Sequence, residues 1–291
     1  MRLGAHISTA GGAYKAFARA REAGCDSFLI FTKSNRQWAA KPLTADDIEA
    51  YRSAAAEFAD LYPVSVHASY LINLASPNPE LWEKSYQALK DEVERAAALD
   101  IPLLTFHPGS YMESDADTGL VAISRALRRL LDETAGTAPR VVVCLETMAG
   151  QGTNLGGRFE HLATVLEQVG PSDRLRVCFD TCHVFSAGYD IRTPEAYAAT
   201  MAAFDRVIGL DKIACFHFND SKHGLGEGKD RHEHIGRGQI GLEGFANFIN
   251  DPRWAGYAAH LETEPTMDGE DGTTIDMNVA NLAALRALRR P

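Results

Sequence analysis

At 291 residues, 45% apolar and 23% charged, the chain has an ordinary soluble composition with enough apolar mass for a large core. No apolar run reaches the length of a membrane-spanning helix, and the N-terminal Met-Arg-Leu-Gly-Ala-His-Ile-Ser is too short and too polar for a secretory leader. The formal charge of −10 argues at face value against a nucleic-acid surface, but acidic side chains that hold cations would invert the field where they cluster.

Eight short apolar, β-branched or aromatic runs read in chain order as buried strands: 3–7, 27–32, 64–67, 103–107, 141–146, 176–180, 213–218 and 259–262. Amphipathic helix patterns lie between them. Thr44-Ala-Asp-Asp47 opens one, carried by Ile48, Tyr51, Ala55 and Phe58; 79–99, 119–131 and 158–169 follow. The clearest runs from an N-cap Thr193 and Pro194 through Ile208 to Gly209, and 278–288 closes the series. Strand then helix, eight times over, predicts a closed parallel α/β barrel, a single (β/α)8 TIM-type domain spanning 1–291. The competing open sheet would want a glycine-rich phosphate turn, and no G-x-G-x-x-G follows the first strand. Five cysteines without a CxxC pair, three of them (Cys144, Cys178, Cys215) inside strand-like runs, point to buried reduced thiols and a cytoplasmic location.

Six consecutive predicted strands carry at their last residue, or the one just before it, a side chain that can ligate a metal: His67, His107, Glu146, Asp180, His217 and Glu262. Barrel strands converge at their carboxyl ends, so these residues meet around one mouth. A lone histidine at a strand end is usually structural, but six in register are hard to explain that way. His183, Asp230 and His232 stand in the loops just beyond. Five histidines and four carboxylates exceed what one ion uses and imply a cluster of two or three ions, suited to polarising a phosphoryl group and activating water. Imidazole and carboxylate ligands fit zinc or manganese. Roles for His6, His223, His234 and His260 stay open.

Two loops suit a polyanion: Lys33-Ser-Asn-Arg36-Gln37-Trp38, and His67-Ala-Ser-Tyr70-Leu71-Ile72-Asn73. Aromatic or aliphatic wedges beside arginine can enter a base stack, although Tyr70 and Leu71 could equally pack into the barrel rim.

The runs Leu145-Glu-Thr-Met-Ala-Gly-Gln-Gly152, Phe179-Asp-Thr-Cys-His183, His217-Phe-Asn-Asp-Ser-Lys222 and Asp230-Arg-His-Glu-His-Ile-Gly236 closely resemble the endonuclease IV family. These are zinc-dependent apurinic/apyrimidinic endonucleases of DNA repair. Phe106-His-Pro-Gly-Ser110 and Val66-His-Ala-Ser-Tyr70 extend the likeness. The resemblance implies a TIM barrel with three Zn2+ ions, one replaceable by Mn2+: His67 and His107 at the first, Glu146 bridging to a second with Asp180, His217 and Glu262, and His183, Asp230 and His232 at the third. It further implies in-line attack by a metal-bridging hydroxide on the phosphorus 5′ to an abasic site, with Glu146 and Glu262 catalytic. Arg36, Gln37, Tyr70 and Leu71 would contact double-stranded DNA carrying abasic sites or blocked 3′ ends, and the protein would act as a monomer. One departure is Glu262-Thr-Glu-Pro265, which places an acid where proline is expected after threonine. The alternatives are a sugar isomerase or epimerase, needing only Glu146, Asp180, His217 and Glu262, and a catalytically silent DNA-damage binder, which would not require every ligand position to be filled.

Overall fold

A computed structural model describes residues 1–269 and 273–290. Eight parallel strands form one sheet: β1 (Arg2–Ala5), β2 (Phe28–Ile30), β3 (Val64–His67), β4 (Leu103–Phe106), β5 (Val142–Glu146), β6 (Leu175–Asp180), β7 (Ile213–His217) and β8 (Ala258–Leu261). Each pairs with its sequence neighbour from β2 to β8, and β8 pairs with β1. The ring closes between β1 and β2 through a parallel bridge, His6 to Leu29, and the Ile7 N–H donates to the Leu29 carbonyl at 2.8 Å. Closure demands glycine at position 4, where a Cβ would collide with the Ser27 carbonyl on the facing strand.

Nine α-helices cover the described barrel: α1 (Lys15–Glu22), α2 (Ala45–Glu57), α3 (Pro79–Ala98), α4 (Ala116–Glu133), α5 (Phe159–Val169), α6 (Thr181–Ser186), α7 (Pro194–Val207), α8 (Gly241–Ile249) and α9 (Met277–Ala287). The sequence signals at their ends are realised. Thr44 and Asp47 form a reciprocal capping box before α2, and Thr193 caps α7 ahead of Pro194. Helix α4 starts three residues before the predicted 119, because Asp115 accepts from the Thr118 N–H and captures the first turn. Helices α1, α6 and α8 lie outside the predicted helix patterns.

Alternation along the strands divides the core in two. Leu104, Phe106, Val143, Leu145, Val177, Phe179 and Phe216 are wholly buried or nearly so in the main apolar cluster, each such side chain contributing about 1.5–3 kcal/mol. Cys144, Cys178 and Cys215 make a second, interior cluster, two residues before Glu146, Asp180 and His217 respectively. All five cysteines are free and buried. The period of two therefore lifts the polar strand-end residues onto the carboxyl-terminal face, directly above this thiol layer. No helix among the described residues is long and apolar enough to cross a membrane.

Candidate metal centre

Strands β3, β5, β6 and β7 end on His67, Glu146, Asp180 and His217, while His107 and Glu262 stand one residue past β4 and β8. Glu146, fully buried, is the hub. One oxygen lies 3.1 Å from His67 Nε2 and 3.3 Å from His107 Nε2; the other lies 2.9 Å from His217 Nδ1 and 3.4 Å from His183 Nδ1. Ligand atoms of Glu146, Asp180, His217 and Glu262 all fall within 4.8 Å of one another, as do those of His67, Glu146 and His217.

A third group adjoins these two. Asp180 caps α6 by accepting the His183 N–H at 2.7 Å, so one turn of helix carries His183 toward the hairpin bearing Asp230 and His232. His183 Nε2 is 3.2 Å from one Asp230 oxygen, and His232 Nε2 is 3.4 Å from the other. All nine residues singled out in the sequence thus lie around one mouth, but His217 stands where His107 was expected in the group with His67 and Glu146, and His107 reaches only Glu146, at 3.3 Å. Asp180, Cys182 and His232 also lie within 4.8 Å of one another, but burial pushes the Cys182 thiol up to about 12 and keeps it protonated.

The ring orientations favour ligation. His67 and His183 donate Nδ1–H to the carbonyls of Ala68 at 2.7 Å and Thr147 at 2.8 Å, which leaves each Nε2 lone pair aimed into the mouth. His183 Nε2, His217 Nε2, His232 Nε2 and Glu262 Oε1 are buried without a hydrogen-bond partner. Of these, His183 Nε2, His232 Nε2 and Glu262 Oε1 fit bound cations, whereas His217 Nε2 lies on the far side of its ring from Glu146 and Glu262. Charge points the same way. Burial works to lower the His183 and His217 imidazoles, but Asp180 and Asp230 beside the first, and Glu262 and Glu146 beside the second, outweigh it and hold both well above the ordinary range. Burial likewise works to raise Glu146, Glu262 and Asp230, yet His217 beside the first two and His183 beside the third bring all three below the usual carboxylate range.

Residues 17–282 match the model of the xylose isomerase-like TIM barrel family. The probable endonuclease 4 of Chloroflexus aurantiacus is 49% identical over 284 residues, 98% of each chain. The chain belongs to the endonuclease IV family. The crystal structure of endonuclease IV from Thermus thermophilus superposes with a TM-score of 0.84 at 36% identity, over 99% of this chain and 98% of that one. A D-tagatose 3-epimerase-like protein shares the fold alone, with a TM-score of 0.74 at 19% identity over 99% of this chain and 97% of that one.

Around the mouth, Tyr70 is 49% exposed, and its ring centroid lies 5.0 Å from that of His67 and 5.4 Å from that of His107. Its ring also meets that of Phe31 edge-on at 5.6 Å, so it packs at the edge of the mouth beside His67 and His107. Leu71 beside it is half-buried, and Arg36 and Gln37 are exposed on the loop after β2. A buried carboxylate on α3 braces both loops. Glu92 accepts from Thr32 Oγ1 at 2.7 Å and the Ser69 N–H at 3.3 Å, and lies 3.7 Å from buried Lys33 Nζ.

Other supporting residues escaped the sequence reading. Asn219 donates Nδ2–H to Asp180 at 2.7 Å and to Glu262 at 3.4 Å, and accepts the Glu262 N–H at 2.8 Å. Gln151 Oε1 accepts the Asp230 N–H at 3.1 Å. Both fall inside the family-like runs, which was the one available signal. The histidines without assigned roles separate cleanly. His260 is wholly buried against Ser27 Oγ at 3.1 Å, and burial lowers it to about 3, a neutral core residue. Burial also lowers His6, to about 4, where its ring packs 4.3 Å from Phe31. Asn281 of α9 contacts His234 Nδ1 at 3.1 Å, donates to Thr263 Oγ1 at 3.1 Å and accepts the Ile235 N–H at 3.1 Å, tying the unusual Glu262-Thr-Glu-Pro265 loop to the stretch that follows His232. His223 pairs with Glu227 at 3.2 Å.

Proposed function

We propose that this chain hydrolyses the phosphodiester 5′ to an abasic site in double-stranded DNA, leaving a 3′-hydroxyl and a 5′-deoxyribose phosphate, and that it also clears blocking groups from 3′ ends. The observation that carries the reading is the third group, His183, Asp230 and His232, standing beside the Glu146, Asp180, His217 and Glu262 tetrad in a member of the endonuclease IV family. A sugar isomerase needs the tetrad alone and leaves His67, His107 and the third group without a task.

His67, His107 and Glu146 would hold one Zn2+, Glu146, Asp180, His217 and Glu262 a second, and His183, Asp230 and His232 a third, with Mn2+ able to replace one. Bound ions would supply Lewis acidity toward a phosphoryl oxygen and bring the pKa of water toward neutrality. Glu262 would accept or orient the proton of the attacking water, a role supported by its unpartnered Oε1 and by a carboxylate held ionised. Asn219 holds the Asp180 carboxylate and the Glu262 backbone in one geometry. Tyr70 and Leu71, with Arg36 and Gln37 on the adjacent loop, would enter the duplex and fill the space vacated by a flipped-out abasic sugar. The lost base makes flipping cheap, because less stacking opposes it.

The test is a duplex with one abasic site, labelled on each strand end in turn, incubated with zinc-loaded protein and no added magnesium. Cleavage on the 5′ side, with a free 3′-hydroxyl, is expected. Interconversion of ketoses without DNA cleavage would refute the reading.

A further inference from the structure

The hairpin that carries Asp230 and His232 is anchored by a carboxylate that the mechanism does not use. Asp220 is fully buried and has no cationic side chain at ion-pair distance among the described residues. Five backbone N–H groups converge on it instead. Oδ1 accepts from Ser221 at 2.8 Å and Ile240 at 2.9 Å; Oδ2 accepts from Gly236 at 3.0 Å, Gly238 at 3.1 Å and Gly241 at 3.2 Å. An ionised carboxylate out of water needs such donors, and two of them, at Ile240 and Gly241, open α8, where the helix dipole also favours negative charge.

The surrounding backbone is shaped to this one side chain. Gly236 and Gly241 have φ of +77° and +73°, and at Gly238 a Cβ would collide with the Ser221 carbonyl and the Asp220 carboxylate. Segment 235–241 therefore wraps around Asp220 and continues directly from His232, which pairs across the hairpin with Ser221. The Lys222 N–H donates to the Arg231 carbonyl at 3.0 Å and completes that pairing.

We propose that Asp220 is the positioning residue of the third group: by gathering five amides it sets where His232 and Asp230 meet His183. The inference rests on the metal-centre reading above. In Asp220→Asn the side chain keeps its shape but presents an amide NH2 to N–H donors where an oxygen had accepted. Three quantities are measured: ions per chain by mass spectrometry, the zinc concentration for half-maximal reloading of the third ion, and amide hydrogen exchange over residues 232–241 of metal-stripped protein.

The variant should retain two ions, need about 10- to 100-fold more zinc to regain the third, and exchange faster across that segment. Excess zinc should restore cleavage, and faster exchange confined to residues 232–241 separates the effect from a general loss of stability, which would speed exchange across the barrel. Gly238→Ala, which pushes the loop off an intact carboxylate, should behave alike, and it decides alone should Asp220→Asn fail to fold. Three tightly held ions in both variants, with wild-type reloading, would overturn the proposal. If wild type itself holds fewer than three ions, the metal-centre reading fails. Asp220 is then judged by the exchange experiment, where wild-type protection in the variants overturns it.

Discussion

Asn219→Ala removes the clamp between Asp180 and Glu262 without touching any proposed ligand. The bond from Nδ2 to Asp180 at 2.7 Å goes to a charged acceptor, a class contributing about 1.5–3 kcal/mol. The Glu262 N–H, now 2.8 Å from Asn219 Oδ1, would lose its acceptor, which costs a buried donor about 1–3 kcal/mol. The 3.4 Å contact with Glu262 is too long to add much. Together these give about 3–5 kcal/mol, and water entering the vacated space recovers part of it. At about 2–4 °C per kcal/mol for a large domain, Tm should fall by roughly 6–20 °C, less whatever that water recovers. Calorimetry of zinc-loaded and metal-stripped protein reads this directly, because the clamp exists in both. Steady-state cleavage should show a lower kcat with little change in KM, since Asn219 is buried below the surface that meets DNA. A Tm within about 1 °C of wild type and an unchanged kcat would refute the reasoning.

Glu262→Gln should bind abasic duplex with wild-type affinity yet cut it about 100-fold or more slowly; normal turnover would remove Glu262 from proton transfer. Tyr70→Ala should narrow the affinity difference between abasic and intact duplex, measured by fluorescence anisotropy, and unchanged discrimination would rule Tyr70 out as the wedge. The shifted groups also fix a pH dependence for metal-stripped protein. His183 and His217, raised in the fold, contribute stability that is complete below the unfolded imidazole value of about 6.5 and is lost as pH rises through their folded values. Glu146, Asp230 and Glu262, lowered in the fold, contribute stability present above about 4 and lost as pH falls through their folded values. Stripped protein should therefore be most stable between about pH 4 and 6.5. Zinc must displace imidazolium protons, so calorimetric titrations at neutral pH in buffers of different ionisation enthalpy should show net proton release. A buffer-independent heat would contradict the charge assignment.

The barrel and the convergence of its candidate ligands were legible because each follows from a repeating constraint. Strand–helix alternation marks the fold, and convergence of strand ends gathers His67, His107, Glu146, Asp180, His217 and Glu262 without knowledge of any contact. The missed elements lack that periodicity. Helix α6 is buried on every side, so Thr181 to Ser186 carries no amphipathic stripe, and α8 holds two glycines that disguise its pattern. Asn219, Gln151, Asp220 and Glu92 were invisible for a different reason. Each acts through backbone groups or through side chains on another segment, and such pairings have no spacing rule in the sequence. His260 shows the converse: strand register placed it two residues before Glu262, but only the structure showed it enclosed in the barrel against Ser27.

The central claim is that three ions in one mouth turn this barrel toward phosphodiester hydrolysis. Stepwise return of zinc to metal-stripped protein, counting ions per chain while following cleavage of a duplex with one abasic site, tests it most directly. Activity should stay low through the early additions and rise as the third ion binds. Full cleavage at one ion per chain, or ketose conversion at one ion with no cleavage at three, would contradict it.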